Sequence, residues 1–215
     1  MTLFELNEII EKGENLNTEF KRRFTECDKI AKEMIAFANT KGGVILFGVD
    51  DDRSVVGVES EKGEIEYIEL ASRYYCEPEI NCKIDVMHIY KKDVVVVEIP
   101  ESSNKPHRLI ENGKSDRGIK VYIRVNDKSV LACKEMVKVL QKSRPDSPPL
   151  VINLGEKERA LMDYLRRHET VTASEVRSLL NISGRRTSRM LVNLLRAGLI
   201  QIHYSGSEYY YTLNL

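Results

Sequence analysis

The spacing of apolar residues changes along the chain and predicts two kinds of structure. Up to about residue 143, short apolar runs alternate with helical patterns. The runs predict strands at 16–24, 44–50, 54–58, 82–90, 93–100 and 120–125. The helical patterns predict a short helix ending at Gly13 and further helices at 27–39, 64–75 and 133–142. Because strands outnumber helices and two of them form a hairpin around Lys91–Lys92, we predict an α+β fold with a mixed or antiparallel sheet and packed helices.

A different pattern follows a proline-rich segment. Prolines cluster in 144–153, where they rule out a continuous helix and favour an extended linker. Residues 154–215 then show three helical patterns and a hairpin around Gly206, with a tight turn between the second and third helices. This order is typical of a winged helix-turn-helix. We therefore predict two domains, residues 1–143 and 154–215. The second domain indicates a regulator that binds DNA.

The third helix of that second domain carries the strongest functional pattern. After a predicted N-cap at Ser183, its apolar side holds Thr187, Met190, Leu191, Leu194 and Gly198. Arginine can bind phosphate or read guanine, and asparagine can read adenine, when such a helix enters the major groove. We predict nucleic-acid contacts from Arg185, Arg186, Ser188, Arg189, Asn193, Arg196, and from His203 and Tyr204 of the hairpin. The alternative is a solvated arginine face on an adaptor that binds protein.

Composition and charge narrow the class of protein. The chain is 42% hydrophobic and 31% charged, which is typical of a soluble globular protein. Its start lacks the pattern of a signal peptide, and no apolar run is long enough to span a membrane, so we expect a cytoplasmic protein. The four cysteines lack metal-binding spacing.

The net charge is zero, but it is unevenly distributed. Residues 1–100 contain 13 basic and 21 acidic residues, a balance of −8. Residues 101–150 contain 11 and 6, and residues 151–215 contain 9 and 6, which gives +5 and +3. A polyanion would therefore find its basic patches in the later half.

A glycine pair at Gly42–Gly43 raises the possibility of a phosphate loop. A Walker loop places its glycines before a lysine and a helix, so that the helix N-terminus faces the phosphate. Here the helix comes first and a strand follows. The pair is better interpreted as the end of a helix and a turn, so we predict no nucleotide cofactor.

Carboxylates near the start of the chain leave a second question open. Asp50, Asp51 and Asp52 follow a buried strand, while Glu14 and Glu19 flank another. Clustered carboxylates can bind Mg²⁺ or Mn²⁺ and support phosphodiester cleavage. They can equally form a polar turn, and an offset of five puts the two glutamates on opposite faces of a regular strand. We expect basic side chains, with Lys21 and Lys41 as candidates, to neutralise the cluster without a metal.

Four segments together resemble a known family. They are "ENLNTEFKRRF", "IAFANTKGGVILFGVDDDRSVVGV", "IPESSNKPH" and "VYIRVNDKSVLACKEM", and their order over about residues 5–143 is similar to that of the Schlafen-type AlbA-like domain. The resemblance implies an α+β module that binds nucleic acid through a basic groove. We assign that groove to Lys21, Arg23, Lys120 and Arg124, with Arg22 beside them, on or next to two strands that could share a face.

The resemblance also bears on activity and assembly. Prokaryotic members joined to a winged helix are described as transcriptional regulators. Two lobes form a clamp in animal Schlafens, so a chain with one lobe would need a homodimer. RNA-cleaving members use two glutamates and an aspartate, which by motif match Glu14, Glu19 and Asp50.

Three functions stay open at this point. The favoured one is a DNA-binding regulator of transcription that has DNA, and possibly RNA, as its partner. The second is a metal-dependent nuclease, and the third is the protein-binding adaptor. For the favoured function we predict no cofactor, no metal and no membrane partner.

Overall fold

The structure is a computed structural model that describes residues 1–110 and 120–214. These residues belong to two compact units, Met1–Leu131 and Ala132–Leu215, called here the N-terminal and C-terminal units. Within the described ranges, no helix has the length and apolar character needed to cross a bilayer.

The N-terminal unit alternates helices and strands before it ends in a hairpin. Its helices are α1 (Leu3–Lys12), α2 (Cys27–Asn39) and α3 (Glu61–Tyr74). Its strands are β1 (Thr18–Lys21), β2 (Gly43–Phe47), β3 (Cys76–Glu77), β4 (Lys83–Ile89), β5 (Lys92–Ile99), β6 (Arg108–Leu109), β7 (Tyr122–Val125) and β8 (Lys128–Leu131).

A four-stranded sheet in the order β1-β2-β5-β4 organises this unit. β1 runs parallel to β2, and the other neighbours are antiparallel, so the sheet is mixed as predicted. Two small sheets, β3-β6 and β7-β8, accompany it. The fold is therefore α+β.

Alternating side chains of the sheet build two separate cores. Ile45, Phe47, Val95 and Val97 belong to one core, together with apolar residues of α2 and α3. Their neighbours Leu46, Val94 and Val96 belong to the other, together with Leu6 and Ile10 of α1. Since successive strand residues point to opposite faces, α1 covers one face of the sheet and α2 and α3 cover the other.

The C-terminal unit combines helices with one small sheet. Its elements are α4 (Lys134–Lys142), α5 (Glu156–His168), β9 (Thr170–Thr172), α6 (Ala173–Leu179), α7 (Gly184–Arg196), β10 (Ile200–Tyr204) and β11 (Tyr209–Leu213). The sheet has the order β10-β11-β9 and is antiparallel. The core of the C-terminal unit brings α5, α6, α7 and β11 together through Leu161, Val176, Leu191 and Tyr211.

The two compact units divide earlier than the predicted domains. The sequence places the helix at 133–142 in the first domain, whereas the structure puts α4 in the C-terminal unit, where it packs against α7. The proline-rich segment 144–153 therefore lies inside a unit. Packing can cross such a segment because proline limits the conformation of the local chain and not its distant contacts.

Three local predictions differ from the structure. Residues 54–58 form no strand beyond a bridge between Val49 and Val55, because Gly48 and Gly57 turn the chain with positive φ of 94° and 77°. The β4–β5 hairpin turns at Tyr90–Lys91, one residue before the predicted pair. The short strands β3, β6, β8 and β9 were not predicted, since two to four residues are too few to show alternation.

Candidate nucleic-acid interface

Helix α7 begins as its sequence predicts. Ser183 adopts an extended conformation, and its hydroxyl accepts a hydrogen bond from the Arg186 backbone N–H at 3.4 Å. The six other helices in the described part of the chain each carry an acid in the first turn, while α7 carries none. The positive end of the α7 dipole therefore coincides with Arg185 and Arg186.

The predicted apolar stripe of α7 is largely confirmed. Thr187, Met190, Leu191 and Leu194 are all buried. Gly198 is an exception, because α7 ends at Arg196 and Gly198 lies beyond it in an exposed turn with a φ of 65°.

A second buried stripe of α7 corrects one predicted contact residue. Ser188 is only 2% exposed, and its hydroxyl accepts a hydrogen bond from the Lys138 ammonium of α4 at 2.8 Å. Val192, one turn later, is 1% exposed. Ser188 therefore supports the packing of α4 on α7 and does not reach the surface.

The remaining side of α7 forms a narrow basic face, defined here as Arg185, Arg186, Arg189, Asn193 and Arg196. At 3.6 residues per turn these positions fall within an arc of about 100°. An open cleft of about 620 Å³ lies along it, and Glu158 of α5 also contributes to that cleft.

The charges of this basic face are not cancelled locally. Within residues 1–110 and 120–214, none of its four arginines makes an ion pair with a carboxylate. Arg196 donates a hydrogen bond to the Pro148 carbonyl at 3.4 Å. The face thus combines four arginines that lack a carboxylate ion pair among the described residues with an open cleft, to which Glu158 adds one negative charge.

The two predicted hairpin residues are held by contacts within the hairpin. The His203 ring lies 5.2 Å from the Tyr210 ring, and its Nε2 is 2.9 Å from the Thr212 hydroxyl. The Tyr204 hydroxyl donates to the Gly206 carbonyl at 2.7 Å across the turn. Both side chains are half-buried, so the hairpin presents an ordered surface.

The prediction that Arg124 of the N-terminal unit lines a basic groove is wrong, because Arg124 is buried and does not reach the surface. Its side chain is 1% exposed, and its guanidinium donates to Glu19 at 2.8 Å and to Glu33 at 3.2 Å. The same guanidinium donates to the Asn15 carbonyl at 2.8 Å and lies 4.6 Å from the centre of the Phe37 ring. Arg124 therefore joins β7 to the start of β1 and to α2.

The other three predicted basic residues of this unit do not share one sheet. Lys21 ends β1 and is paired with Glu19, while Arg23 follows β1 on the surface. Lys120 bridges to Leu109, outside the sheet that contains β1. The expected common face therefore does not form, because β7 pairs with β8 and not with β1.

The predicted carboxylates are partly gathered and are paired with basic groups. Glu19 is buried against Lys21 and Arg124, and Asp50 pairs with Arg22 at 2.9 Å. Lys21 thus pairs with Glu19 alone among the predicted acids in the described contacts, which give Lys41 no such role. Arg22 and Arg124 provide the remaining positive charge.

Glu14 accepts a hydrogen bond from the Phe20 N–H at 2.8 Å and forms no ion pair within the described residues. Partial burial raises the pKa of Glu14, the Phe20 N–H opposes that rise, and the nearby charges of Glu19 and Asp51 add to it. In the ranges that the structure describes, no group of three or more His, Cys, Asp or Glu side chains is arranged to hold a metal ion.

The segment that contains Asn39 and the glycine pair Gly42–Gly43 has a structural role. The side chain of Asn39 donates to the carbonyls of His107 and Tyr122 at 2.9 Å and accepts from the His107 N–H at 2.8 Å. Gly42 adopts a φ of 69°, donates to the Phe37 carbonyl at 2.9 Å, and leaves a Cβ no room beside the Ile99 carbonyl. The glycine pair therefore ends α2 and starts β2, as predicted.

Two residues important to these sites were not predicted. Glu33 completes the acid pair around Arg124, and its position on α2 one turn before Phe37 was an available signal. Lys138 fixes α4 on α7, and the small-to-apolar spacing of Ser188 and Val192 could have indicated a second buried stripe.

Comparisons with known proteins place this geometry in context. The profile of the family described as "Schlafen, AlbA_2" matches residues 14–133. The uncharacterized ATP-binding protein UU034 of Ureaplasma parvum is 32% identical over an alignment of 125 residues, and the match covers 48% of this chain. The chain spans only 35% of the length of that relative.

Two solved structures are similar at low sequence identity. The DIP2311 protein of Corynebacterium diphtheriae aligns with a TM-score of 0.49 and 16% identity, over 77% of this chain and 37% of that one. The N-terminal domain of a putative ATP-dependent DNA helicase RecG-related protein from Nitrosomonas europaea aligns with a TM-score of 0.40 and 21% identity, over 61% of this chain and 90% of that one.

Proposed function

The chain belongs to the Schlafen AlbA_2 family, and on that premise we propose that it is a DNA-binding regulator of transcription. In this proposal the C-terminal unit is a winged helix-turn-helix, in which α6 and α7 form the helix-turn-helix and β10 and β11 form the wing. Helix α7 enters the major groove, and the hairpin lies against the neighbouring backbone.

The observation that carries the proposal is the basic face of α7. Its arginines are free of carboxylate partners among the described residues, and the first turn of α7 lacks the acid found in the other described helices. Burying four arginines in a protein contact without negative partners would be unfavourable. A polyanion such as DNA supplies negative charge for each of them and forms charge-assisted hydrogen bonds with them. A phosphate backbone supplies such charge along a helix-sized groove.

The basic face also has the residue types that read bases. Arg185 and Arg189 are one turn apart and exposed, which suits bidentate contacts with guanine or with successive phosphates. Asn193, one further turn along, has the amide that pairs with adenine. Arg196 lies at the C-terminal end of α7, where it would contact phosphate.

The N-terminal unit takes a smaller share of binding in this proposal. Arg124 is buried and Lys21 is paired, whereas Arg23 is exposed. Binding of nucleic acid by this unit therefore stays a prediction, which a binding assay on the isolated fragment 1–131 at low salt would test. Homodimer formation also stays a prediction, which sedimentation of the purified full chain would test.

The experiment is a comparison of nucleic acids by fluorescence anisotropy. Labelled duplex DNA, single-stranded DNA and structured RNA are titrated with the full chain, with and without Mn²⁺. We expect tightest binding to duplex DNA without any metal requirement. Arg185→Ala with Arg189→Ala should weaken it, while the charge-matched control of Arg166→Ala with Arg167→Ala on α5 should have a smaller effect.

Two results would redirect the proposal. Duplex affinity unchanged in the α7 variant would favour the adaptor function. Cleavage of labelled tRNA that needs Mn²⁺ and disappears in a Glu14→Ala, Glu19→Ala variant would favour the nuclease function.

A further inference from the structure

An open cleft in the N-terminal unit combines aromatic walls with acidic edges. It lies where α2 and α3 begin and has a volume of about 640 Å³. Its aromatic side chains are Phe24, Tyr67 and Tyr75. Its acidic side chains are Glu26, Asp28, Glu59 and Glu64. We call it the acidic aromatic cleft.

The aromatic wall is ordered and accessible at once. The Phe24 and Tyr67 rings are stacked with their centres 5.3 Å apart, and Phe24 is in turn 6.3 Å from the buried Phe47 ring. Tyr67 is nevertheless 55% exposed. A fixed ring with an open face is the kind of surface on which a planar cation stacks.

The wall continues as an apolar stripe along α3. Leu70 follows Tyr67 by three residues and Tyr74 follows Leu70 by four, which places all three on one side of the helix. They are 39% and 63% exposed. A partner that occupies the cleft would therefore meet apolar surface next to it.

The acidic edge is short of positive charge. Among the described ion pairs, the four cleft acids have one basic partner, the exposed Lys29 beside Glu26. One carboxylate oxygen of Asp28 is buried and receives no hydrogen bond from the described residues. Glu64 accepts a hydrogen bond from the Phe24 N–H at 2.8 Å. Burial, and to a lesser extent the negative charge of Glu59, raises the pKa of Glu64, while the Phe24 N–H and Arg23 lower it; the net shift is upward.

The acidic and aromatic side chains of the cleft indicate which class of ligand it can bind. Carboxylates repel phosphate, so the cleft excludes nucleic acid, and a purely apolar partner would leave the acids uncompensated. We propose that the acidic aromatic cleft binds an arginine-bearing segment of a protein partner, with the guanidinium on the Tyr67 ring beside Glu64 and an apolar side chain of the partner on Leu70 and Tyr74. Guanidinium suits both surfaces, because it stacks on rings and pairs with carboxylates.

The proposal is independent of DNA binding, since its residues lie in the N-terminal unit and the basic face lies in the C-terminal unit. It would give a regulator a contact for a basic protein while its other unit holds DNA. The two activities can be measured separately in the same full-length chain.

The test uses a short fluorescein-labelled peptide of alternating arginine and leucine, titrated with the full chain. We expect saturable binding that weakens about fivefold or more in Tyr67→Ala, a loss in the range of a cation–π contact together with its apolar area. Tyr67→Phe should retain binding because it keeps the ring. Glu64→Gln should weaken binding, since it removes the charge and keeps an acceptor for the Phe24 N–H.

Matched controls separate this site from general attraction to an acidic surface. Phe4→Ala removes another exposed aromatic residue, on α1, and Glu11→Gln removes another exposed carboxylate. Both should bind the peptide as the unmodified chain does. Equal binding of a peptide with serine in place of leucine, or of one with glutamate in place of arginine, would overturn the proposal, as would unchanged affinity in Tyr67→Ala.

Discussion

Arg124 in the N-terminal unit and Arg189 in the C-terminal unit carry the same guanidinium group in opposite surroundings. Arg124 is buried, donates to Glu19 and Glu33, and lies over an aromatic ring. Arg189 is exposed beside three other arginines and a cleft. The comparison shows that burial and local partners, and not residue type, separate an arginine that holds a fold together from one that is available to a ligand.

The largest expected effect breaks the buried side of this comparison. Arg124→Met should lower the free energy of unfolding of the N-terminal unit by up to about 3–5 kcal/mol, because buried Glu19 would keep only Lys21 as a basic partner and Glu33 would lose the guanidinium. Urea denaturation of the full chain measures it. Adding Glu19→Gln should recover part of the loss, and a single Arg124→Met variant as stable as the unmodified chain would contradict the buried-pair account.

The next effect concerns how α4 positions the basic face. Leu140 of α4, which belongs to the C-terminal unit, is 6% exposed in the described chain. Leu140→Ala should therefore destabilise the fragment 132–215 by about 2–5 kcal/mol, the usual cost of a leucine-to-alanine change in a core.

Thermal melting followed by circular dichroism measures this cost. The exposed Leu179→Ala on α6 is the matched control, since Leu179 is 46% exposed and should lose less. Equal melting temperatures for the Leu140 variant and the unmodified fragment would return α4 to the predicted first domain.

A smaller effect compares one glycine from each unit. Gly42 has a φ of 69°, and a Cβ there would lie 2.6 Å from the Ile99 carbonyl oxygen, so Gly42→Ala should cost about 1–3 kcal/mol. Gly184 opens α7 with nothing within 4 Å of such a Cβ, so Gly184→Ala should be neutral or slightly stabilising. Urea midpoints of the two variants measure the difference, and a reversed order would be inconsistent with these backbone conformations.

The smallest effect depends on pH. Because the pKa of Glu14 is raised in the folded state, its ionised form is disfavoured there, so Glu14 lowers stability as the pH rises above the ordinary pKa, and the full cost is present above the folded pKa. Glu14→Gln should therefore raise the urea midpoint at neutral pH, and the gain should disappear below 4.5, the ordinary pKa of glutamate.

Glu5 provides the control of opposite sign. Hydrogen bonds with Thr2 lower the pKa of Glu5, so its contribution is present above the ordinary value and is lost as the pH falls. Glu5→Gln should lower the neutral-pH midpoint slightly. A pH-independent gain in Glu14→Gln would mean that the substitution acts by packing.

Sequence patterns predict those parts of the fold that depend on local chemistry. Helix α2 covers the predicted residues 27–39, because its apolar spacing is regular and glycines end it. The strand predicted at 120–125 contains β7, whereas its partner β8 was not predicted, although Asn126 at their turn adopts the left-handed φ of 56° that asparagine tolerates.

Long-range pairing is what the sequence could not provide. Arg124 is a surface residue by its strand pattern, and only the folded chain brings it to Glu19, 105 residues earlier. Ser188 likewise reads as part of a polar helix face until α4 covers it. Both errors concern burial by a distant element, which periodicity within one segment does not report.

The salt dependence of duplex DNA binding tests the central claim most directly. Removal of one arginine–phosphate interaction should reduce the slope of log affinity against log salt concentration by about 0.9. We therefore expect the slope to fall by up to about 1.8 in the Arg185→Ala, Arg189→Ala variant, with weaker binding at every salt concentration, and to stay close to the unmodified value in Arg166→Ala, Arg167→Ala. Equal slopes for the unmodified chain and the α7 variant would contradict the account that the basic face of α7 binds the DNA backbone.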